Sequence, residues 1–320
     1  MNLTGRLGLF LCISIYVSLA AVTHGGELVT NGDFEAGNTG FTSMYSFGNN
    51  SPAASYTIGN NPSTAPGHFS DWASFGDHTS GSGLMMIVNG GTNSAVPFWS
   101  ETVLTIPGQT YSYSFFAETI NTTSSSPASL QLEINGVAVG SPLVLPTTGG
   151  TYVEASGTYV ATSDSATLTL VDENTAVGLN DFVVDDISFS GAAPNLELDG
   201  SGTLVFSNNK TATFNIFDVE AELKHNGYFQ GMFGYSDVPN HEFFSTSKIT
   251  GVTFSSDGNS CTFTGQAKDG INRNRNITFT VTVLANQDPD GADTLTINIS
   301  DGYSATGECL SGGIFIAPNP

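Results

Sequence analysis

Phe182-Val183-Val184-Asp185-Asp186-Ile187-Ser188-Phe189 is the stretch on which the fold turns. Its apolar positions predict a strand that closes a first domain, with two carboxylates at its centre. Read with a period of two, Val183, Asp185, Ile187 and Phe189 share one face, so Asp185 is expected to point with three apolar side chains. An ionised carboxylate in such surroundings is costly unless a counter-charge or hydrogen bonds meet it. The ordinary partner would be Lys or Arg, and neither occurs between Arg6 and Lys210. A metal ion, backbone amides or protonation are the options left.

The rest of the chain gives that strand its setting. The 320 residues include 37 Gly, 22 Phe and 10 Tyr but only 7 Lys and Arg, and the formal net charge is -22. Runs of strong helix formers are absent after the first segment, which points to an all-β chain. The charge argues against nucleic acid, whose binding rests on Lys and Arg at phosphates, and against anionic membranes. Residues 1–25 read as a secretory signal peptide: a basic start at Arg6, an apolar run from Leu7 to Val22, then small residues. That run is shorter than the ~18 residues of a membrane helix, so cleavage rather than membrane insertion is expected, and a secreted, extracellular protein with it.

From 27 to 191 the sequence predicts one domain. Strand candidates include Leu84–Val88, Glu101–Ile106, Tyr111–Ala117, Ser129–Ile134, Ala166–Val171 and Phe182–Phe189, separated by Pro107-Gly108, Asn135-Gly136 and Thr147-Thr148-Gly149-Gly150. Ser129-Leu130-Gln131-Leu132-Glu133-Ile134 alternates apolar in and polar out, the pattern of a two-sheet antiparallel sandwich. Residues 192–195 read as a linker. Beyond it, from 196 to 320, the composition shifts, and every Lys and Arg after Arg6 lies between Lys210 and Arg275. Thr278-Phe279-Thr280-Val281-Thr282-Val283 alternates without a break, and a second compact antiparallel β domain follows from it.

The segments LVTNGDFEAG, HTSGSGLMMIVNGG, VLTIPGQTYSYSF, PASLQLEINGV and FVVDDISFSG, in that order, resemble the galactose-binding-like jelly-roll domains, among them many carbohydrate-binding modules. The segments TATFNIFDVEAE, GYFQGMFGYSD, STSKITGVTF, CTFTGQAK and NITFTVTVLANQDPDGADTLTINISDGYSATGECLSGGIFI resemble a small all-β domain that recurs beside repeats and adhesion modules in bacterial secreted proteins. The first resemblance implies a jelly-roll sandwich without catalysis, with a structural calcium near the junction of the first and last strands. Glu35 matches its opening acidic position and Asp185 or Asp186 its closing one. Calcium takes six to eight oxygen ligands and needs no Lys or Arg nearby, so it agrees with the argument from Asp185. The alternative is that Asp185 is met by backbone amides while Asp186 faces solvent.

Sugar contacts would come from aromatic faces. Trp72, Trp99, Tyr45, Tyr56 and Phe98 lie in or beside irregular segments; Trp72 and Trp99 are the strongest candidates for a platform, against a core role for each. His68, His78, Asp71 and Asp77 match no metal-ligand spacing and read as loop polar residues. After loss of Cys12 with the signal, Cys261 and Cys309 form an even pair, and a disulfide is expected between them, two separate buried thiols being the alternative. No nucleophile elbow, zinc motif or phosphate loop occurs. The sequence therefore predicts a secreted, non-catalytic, glycan-binding protein. Its alternatives are a structural or adhesive surface protein, and an accessory chain or weak member of the glycoside hydrolases.

Overall fold

The computed structural model describes residues 26–221, 224, 227–240, 242–255, 257–269, 276–285 and 292–318. The expected signal peptide at 1–25 lies outside the described residues. The chain is all-β: among the described residues there is no α-helix, and none is long and apolar enough to cross a membrane.

The first unit contains β1 (Gly26–Glu27), β2 (Ser46–Phe47), β3 (Ser55–Gly59), β4 (Met85–Asn89), β5 (Trp99–Leu104), β6 (Thr110–Thr119), β7 (Ser129–Ile134), β8 (Val137–Val144), β9 (Val153–Val160), β10 (Ser165–Asp172) and β11 (Phe182–Gly191). They form two sheets. The front sheet runs β2-β3-β4-β11-β6-β9, with β1 also on β11, and the back sheet runs β5-β10-β7-β8. The stretch that opened the reading is thus the central strand of the front sheet, held by β4 on one side and β6 on the other. Between the sheets lies a core that includes Phe34, Phe98, Trp99, Tyr111, Phe182, Val184 and Phe189. Tyr111 stacks on Phe189 with centroids 5.0 Å apart, and Phe98 meets Phe182 edge-on at 4.9 Å. Burial of such rings supplies most of the folding drive, about 25 cal/mol per Å² of apolar surface.

The period-of-two reading of β11 fails at its midpoint. Asp185 pairs with Phe116 but Ser188 pairs with Ser114, so β11 carries one extra residue there. Asp186 takes a left-handed conformation at φ 48° to absorb it. Such a bulge reverses the parity of everything beyond it. Phe182 and Val184 before the bulge, and Ile187 and Phe189 after it, all face the sandwich core. Val183 faces the other way, into a smaller cluster with Ala65, Trp72, Met85, Ile87 and Ile120. Two places along the strand, Asp185 shares that outer side and not the side of Ile187 and Phe189.

The second unit is a closed barrel: β12 (Leu196–Val205), β13 (Thr211–Glu220), β14 (Met232–Asp237), β15 (Glu242–Phe254), β16 (Ser260–Asp269), β17 (Asn276–Leu284), β18 (Thr294–Ile299) and β19 (Ser304–Pro318). Each strand pairs antiparallel with the next, and β12 pairs with β19 to close the ring, so no sheet edge is left open. The interior is filled. Phe233 sits 5.7, 5.3 and 5.6 Å from Phe244, Phe263 and Phe279.

The expected disulfide is absent, and Cys261 and Cys309 are both free thiols. Cys261 is on β16 and Cys309 on β19, with β17 and β18 between them around the wall. At about 4.8 Å per strand, that separation exceeds the ~7 Å reach between Cα atoms of a disulfide. Burial pushes the Cys261 thiol up to about 12; burial, helped by the Asp293 charge, pushes Cys309 up to about 11.

Candidate functional site

The acids of β11 are met by the loop that precedes β4. Asn31 starts the arrangement. It adopts φ 58°, its amide donates to the carbonyls of Gly37 and Thr39, and its Oδ1 accepts from the amide of Ala36. This ties the opening turn into a knot, plants Phe34 in the core and leaves Glu35 pointing toward β4. Gly32 lies so close to β11 that a Cβ there would stand 1.9 Å from the carbonyl oxygen of Ile187. Only glycine permits that approach.

Glu35 Oε1 accepts from the amide of Leu84 at 2.7 Å. Asp77 Oδ2 accepts from the Ser80 amide at 2.7 Å, and its Oδ1 from the Gly83 amide at 2.6 Å. A Cβ on Gly83 would stand 2.0 Å from Glu35 Oε1 and 3.1 Å from Asp77 Oδ2, so the two carboxylates crowd the same glycine. Asp185 is fully buried; its Oδ2 accepts from the His78 amide at 2.8 Å and its Oδ1 from the Asp186 amide at 2.9 Å. Asp186 Oδ2 stands 2.6 Å from His78 Nδ1, and its Oδ1 accepts from the Thr79 hydroxyl at 2.5 Å. The His78 ring stacks on Phe116 at 3.7 Å. Glu35, Asp77, Asp185 and Asp186 thus meet one short loop, and the imidazole of His78 is the basic side chain bonded there.

The electrostatics follow from that imbalance. Burial drives the Asp185 carboxyl up to about 7; the His78 amide opposes this, the Asp186 charge reinforces it, and Asp77 adds to it. For Asp77, burial also works against the charge, but the amides of Ser80 and Gly83, the Ser80 hydroxyl and the Ser82 amide outweigh it and hold the group below the usual carboxylate range. Tyr152, whose hydroxyl donates to the Gly76 carbonyl, is driven well above the usual phenol value by burial and then by the charges of Asp185, Glu118, Asp77 and Asp186.

Asp185 thus accepts two backbone amides yet keeps a raised pKa, and Asp186 is not a solvent-facing bystander but a partner of His78 and Thr79. Glu35, Asp185 and Asp186 are not drawn to a single point. Among the described residues, the one set of three side chains with ligand atoms within 4.8 Å of one another is Glu197, Asp218 and Glu220 on the barrel. In chemistry, though not in convergence, Glu35, Asp77, Asp185 and Asp186 match a hard divalent cation: all-oxygen carboxylates, a buried acid raised by burial and by like charges, and no Lys or Arg between residues 27 and 191. Asp77 and His78 are the members that sequence spacing missed, because they reach β11 only through the fold.

The aromatic platform is not formed by the expected residues. Trp99 and Phe98 are fully buried between the sheets, and Trp72, Tyr45 and Tyr56 are buried to within 5 %. Trp72 roofs the outer face of the front sheet, with its indole donating to Asp181 Oδ2 at 3.0 Å. Tyr45 accepts from the Gly91 amide, and Tyr56 donates to Asn38 Oδ1. The physical reason is shared: the Gly- and Ser-rich segments fold back onto the sheets, and their rings are the apolar surface that lets them do so.

Comparison with known proteins adds little to this geometry. No family model matches the chain, and no curated protein does. One solved structure to which it is similar is the EclA C-terminal domain, a sugar-binding protein. The two share 22 % identity at a TM-score of 0.27, over 29 % of this chain and 66 % of that one. A likeness of that extent bears on neither the site nor the activity, and the functional argument rests on the residues.

Proposed function

We propose that the protein is a secreted, non-catalytic binding protein whose sandwich recognises carbohydrate and is stabilised by a structural calcium, with the barrel as a spacer or docking unit. The observation that carries this reading is Asp185, fully buried beside Asp186 and Asp77 with its carboxyl pushed up to about 7. Glu35, Asp77, Asp185 and Asp186 are the residues that would hold the ion. When bound, it would supply the positive charge the domain lacks and return Asp185 to its ionised form. The chain's own part is to fasten the opening turn and the loop at 77–84 onto the central strand, which fixes the surface that a ligand meets. A divalent cation in that role is structural, and the reading assigns no bond-breaking step to any residue.

The burial of Trp72, Trp99, Tyr45 and Tyr56 favours a second reading, a structural or adhesive protein that binds no sugar. A glycan array probed with the full chain in calcium separates the two. Retention on one or more neutral glycans is expected; uniform absence of binding, with the protein folded and calcium present, leaves the structural reading.

A further inference from the structure

The outer wall of the barrel is not uniform. From β15 to β19 its outward positions are rich in threonine, and these pair across strands: Thr250 with Thr264 at 3.1 Å, Thr262 with Thr282 at 3.0 Å and Thr296 with Thr306 at 2.9 Å. Such a face satisfies its own hydroxyls and meets water. Across β19, β12, β13 and β14 the wall changes character. Phe315 on β19 pairs with Asp199 on β12. Leu198 pairs with Val219 and Gly200 with Ile216, so β13 sets two residues, Phe217 and Asp218, against Asp199. Phe217 in turn pairs with Met232 on β14.

Phe315, Phe217 and Met232 are 69 %, 57 % and 60 % exposed, whereas Ile314, Ile216 and Phe233 beside them fill the interior. The Phe315 ring lies back along its own strand, where a Cβ on Gly313 would stand 3.2 Å from its Cζ. Among the described residues the barrel's other exposed large apolar side chains, Val238, Leu284 and Leu310, stand singly at a turn, a strand end and a bulge. Large apolar side chains left in water on adjacent strands and rimmed by polar groups mark a face that meets another protein.

That rim is acidic. Glu197 shares the outward side of β12 with Asp199, and ligand oxygens of Glu197, Asp218 and Glu220 lie within 4.8 Å of one another. Asp218 comes there through the bulge: it takes φ 55°, and its amide donates to Asp199 Oδ1 at 2.8 Å. Lys224 Nζ stands 3.0 Å from Glu220, and Gln230 donates to Asp218. Like charge still dominates the spot. Burial and a hydrogen bond with Asp199, then the charges of Asp199, Asp218 and Glu220, raise the Glu197 carboxyl above its usual range.

We propose that this face of the barrel docks a basic protein segment, which lays apolar side chains on Phe217, Met232 and Phe315 and sets Lys or Arg against Glu197, Asp199 and Asp218. Charge complementarity selects that occupant over a second copy of the chain, because a two-fold contact here would bring the acids of one copy onto those of the other. The formal net charge of -22 acts in the same direction, drawing basic partners and repelling copies. The inference rests on the docking role given to the barrel above and is independent of what the sandwich binds.

Fluorescence anisotropy of the full chain with three short labelled peptides tests it: one alternating Leu and Lys, one alternating Leu and Glu, and one alternating Ser and Lys. Only the Leu-Lys peptide is expected to bind tightly, and more weakly as salt rises. Phe217→Thr and Phe315→Thr, which extend the threonine wall, are each expected to weaken that binding about tenfold with Tm unchanged. Met232→Thr serves where either fails to fold. Glu197→Gln is expected to weaken it about 3-fold and flatten its salt dependence, while Glu173→Gln, an exposed acid of the sandwich, changes neither. Equally tight binding of the Leu-Glu or the Ser-Lys peptide overturns the basic apolar partner. Self-association of the wild type in sedimentation, abolished by Phe217→Thr, overturns it in favour of a second copy. No binding of the Leu-Lys peptide, or binding that none of these substitutions alters, overturns the docking face; the barrel is then a spacer, and the carbohydrate reading still rests on the glycan array.

Discussion

Asp185 and Asp237 are both fully buried carboxylates, one in each domain, and they are accommodated in opposite ways. Asp237 ends β14 and is surrounded by donors: the Tyr303 hydroxyl at 2.5 Å, the Asn240 side-chain amide at 2.7 Å and the Asn240 backbone amide at 3.2 Å, with Tyr235 bonded in turn to Tyr303. These donors fasten a turn and a hairpin across the mouth of the barrel. Asp185 receives two backbone amides and the company of two further acids. The first is a closed hydrogen-bond network, the second an electrostatic deficit. A buried acid that is fully solvated by protein stiffens a fold, whereas one left among like charges makes the fold depend on pH and on ions.

The largest expected effect breaks the scaffold that brings Glu35 to its place. Gly32→Ala drives a Cβ against the backbone of Ile187, which cannot move without distorting the central strand, and a loss of about 4 kcal/mol or more is expected in urea unfolding of the sandwich. The barrel transition should be unaffected. The next effect sharpens the contrast between the two acids. The Asp185 pKa is raised on folding, so its stabilisation is complete below the unfolded value near ~3.9 and is lost as pH rises through about 7. Asp172, driven up to about 6 by burial, acts with the same sign. In chelator, the sandwich is expected to lose on the order of a few kcal/mol between pH 5 and 8, read from Tm, and Asp185→Asn should remove most of that slope. Calcium at about a hundredfold excess over Kd at pH 8 should restore about 2.7 kcal/mol in wild type and nothing in Asp185→Asn.

Asp237→Asn is expected to cost about 1.5–3 kcal/mol, because its new amide must face a donor of Asn240 or Tyr303. Unlike Asp185→Asn, it should do so equally with and without calcium; a calcium-dependent loss would erase the distinction between the two sites. The smallest effect concerns the thiols. Reductant should leave Tm unchanged, and Ellman's reagent should find Cys261 only after denaturation, since that thiol is buried on β16. A bridged pair in the mass of the folded protein would contradict the strand order of the barrel.

Much of this was legible from residues alone, and the division has a physical logic. Alternation located strands such as Ser129–Ile134 and the 276–284 segment, because burial on one side of a sheet imposes a period of two. The missing Lys and Arg told that Asp185 had to be met by something other than a basic side chain, because composition needs no geometry. The Asn-Gly turn and Glu35 could be placed near β11 through the resemblance of their motif. Trp72 and Trp99 could not be placed, since a ring in a Gly-rich segment is platform or core according to whether the segment folds back, and that is decided by the rings it meets.

What the sequence by itself determined was an all-β chain with an acidic sandwich-like half and a second β half, built around a strand bearing two acids. The tertiary structure alone decided which way those acids point. One inserted residue at Asp186 reverses side-chain parity, and whether a strand absorbs it depends on the register of its neighbours, Phe116 and Ser114, far away in the chain. It alone also brought Asp77 and His78 to Asp185 and set two strands between Cys261 and Cys309. Each is a relation between residues remote in sequence, fixed by packing rather than by local preference.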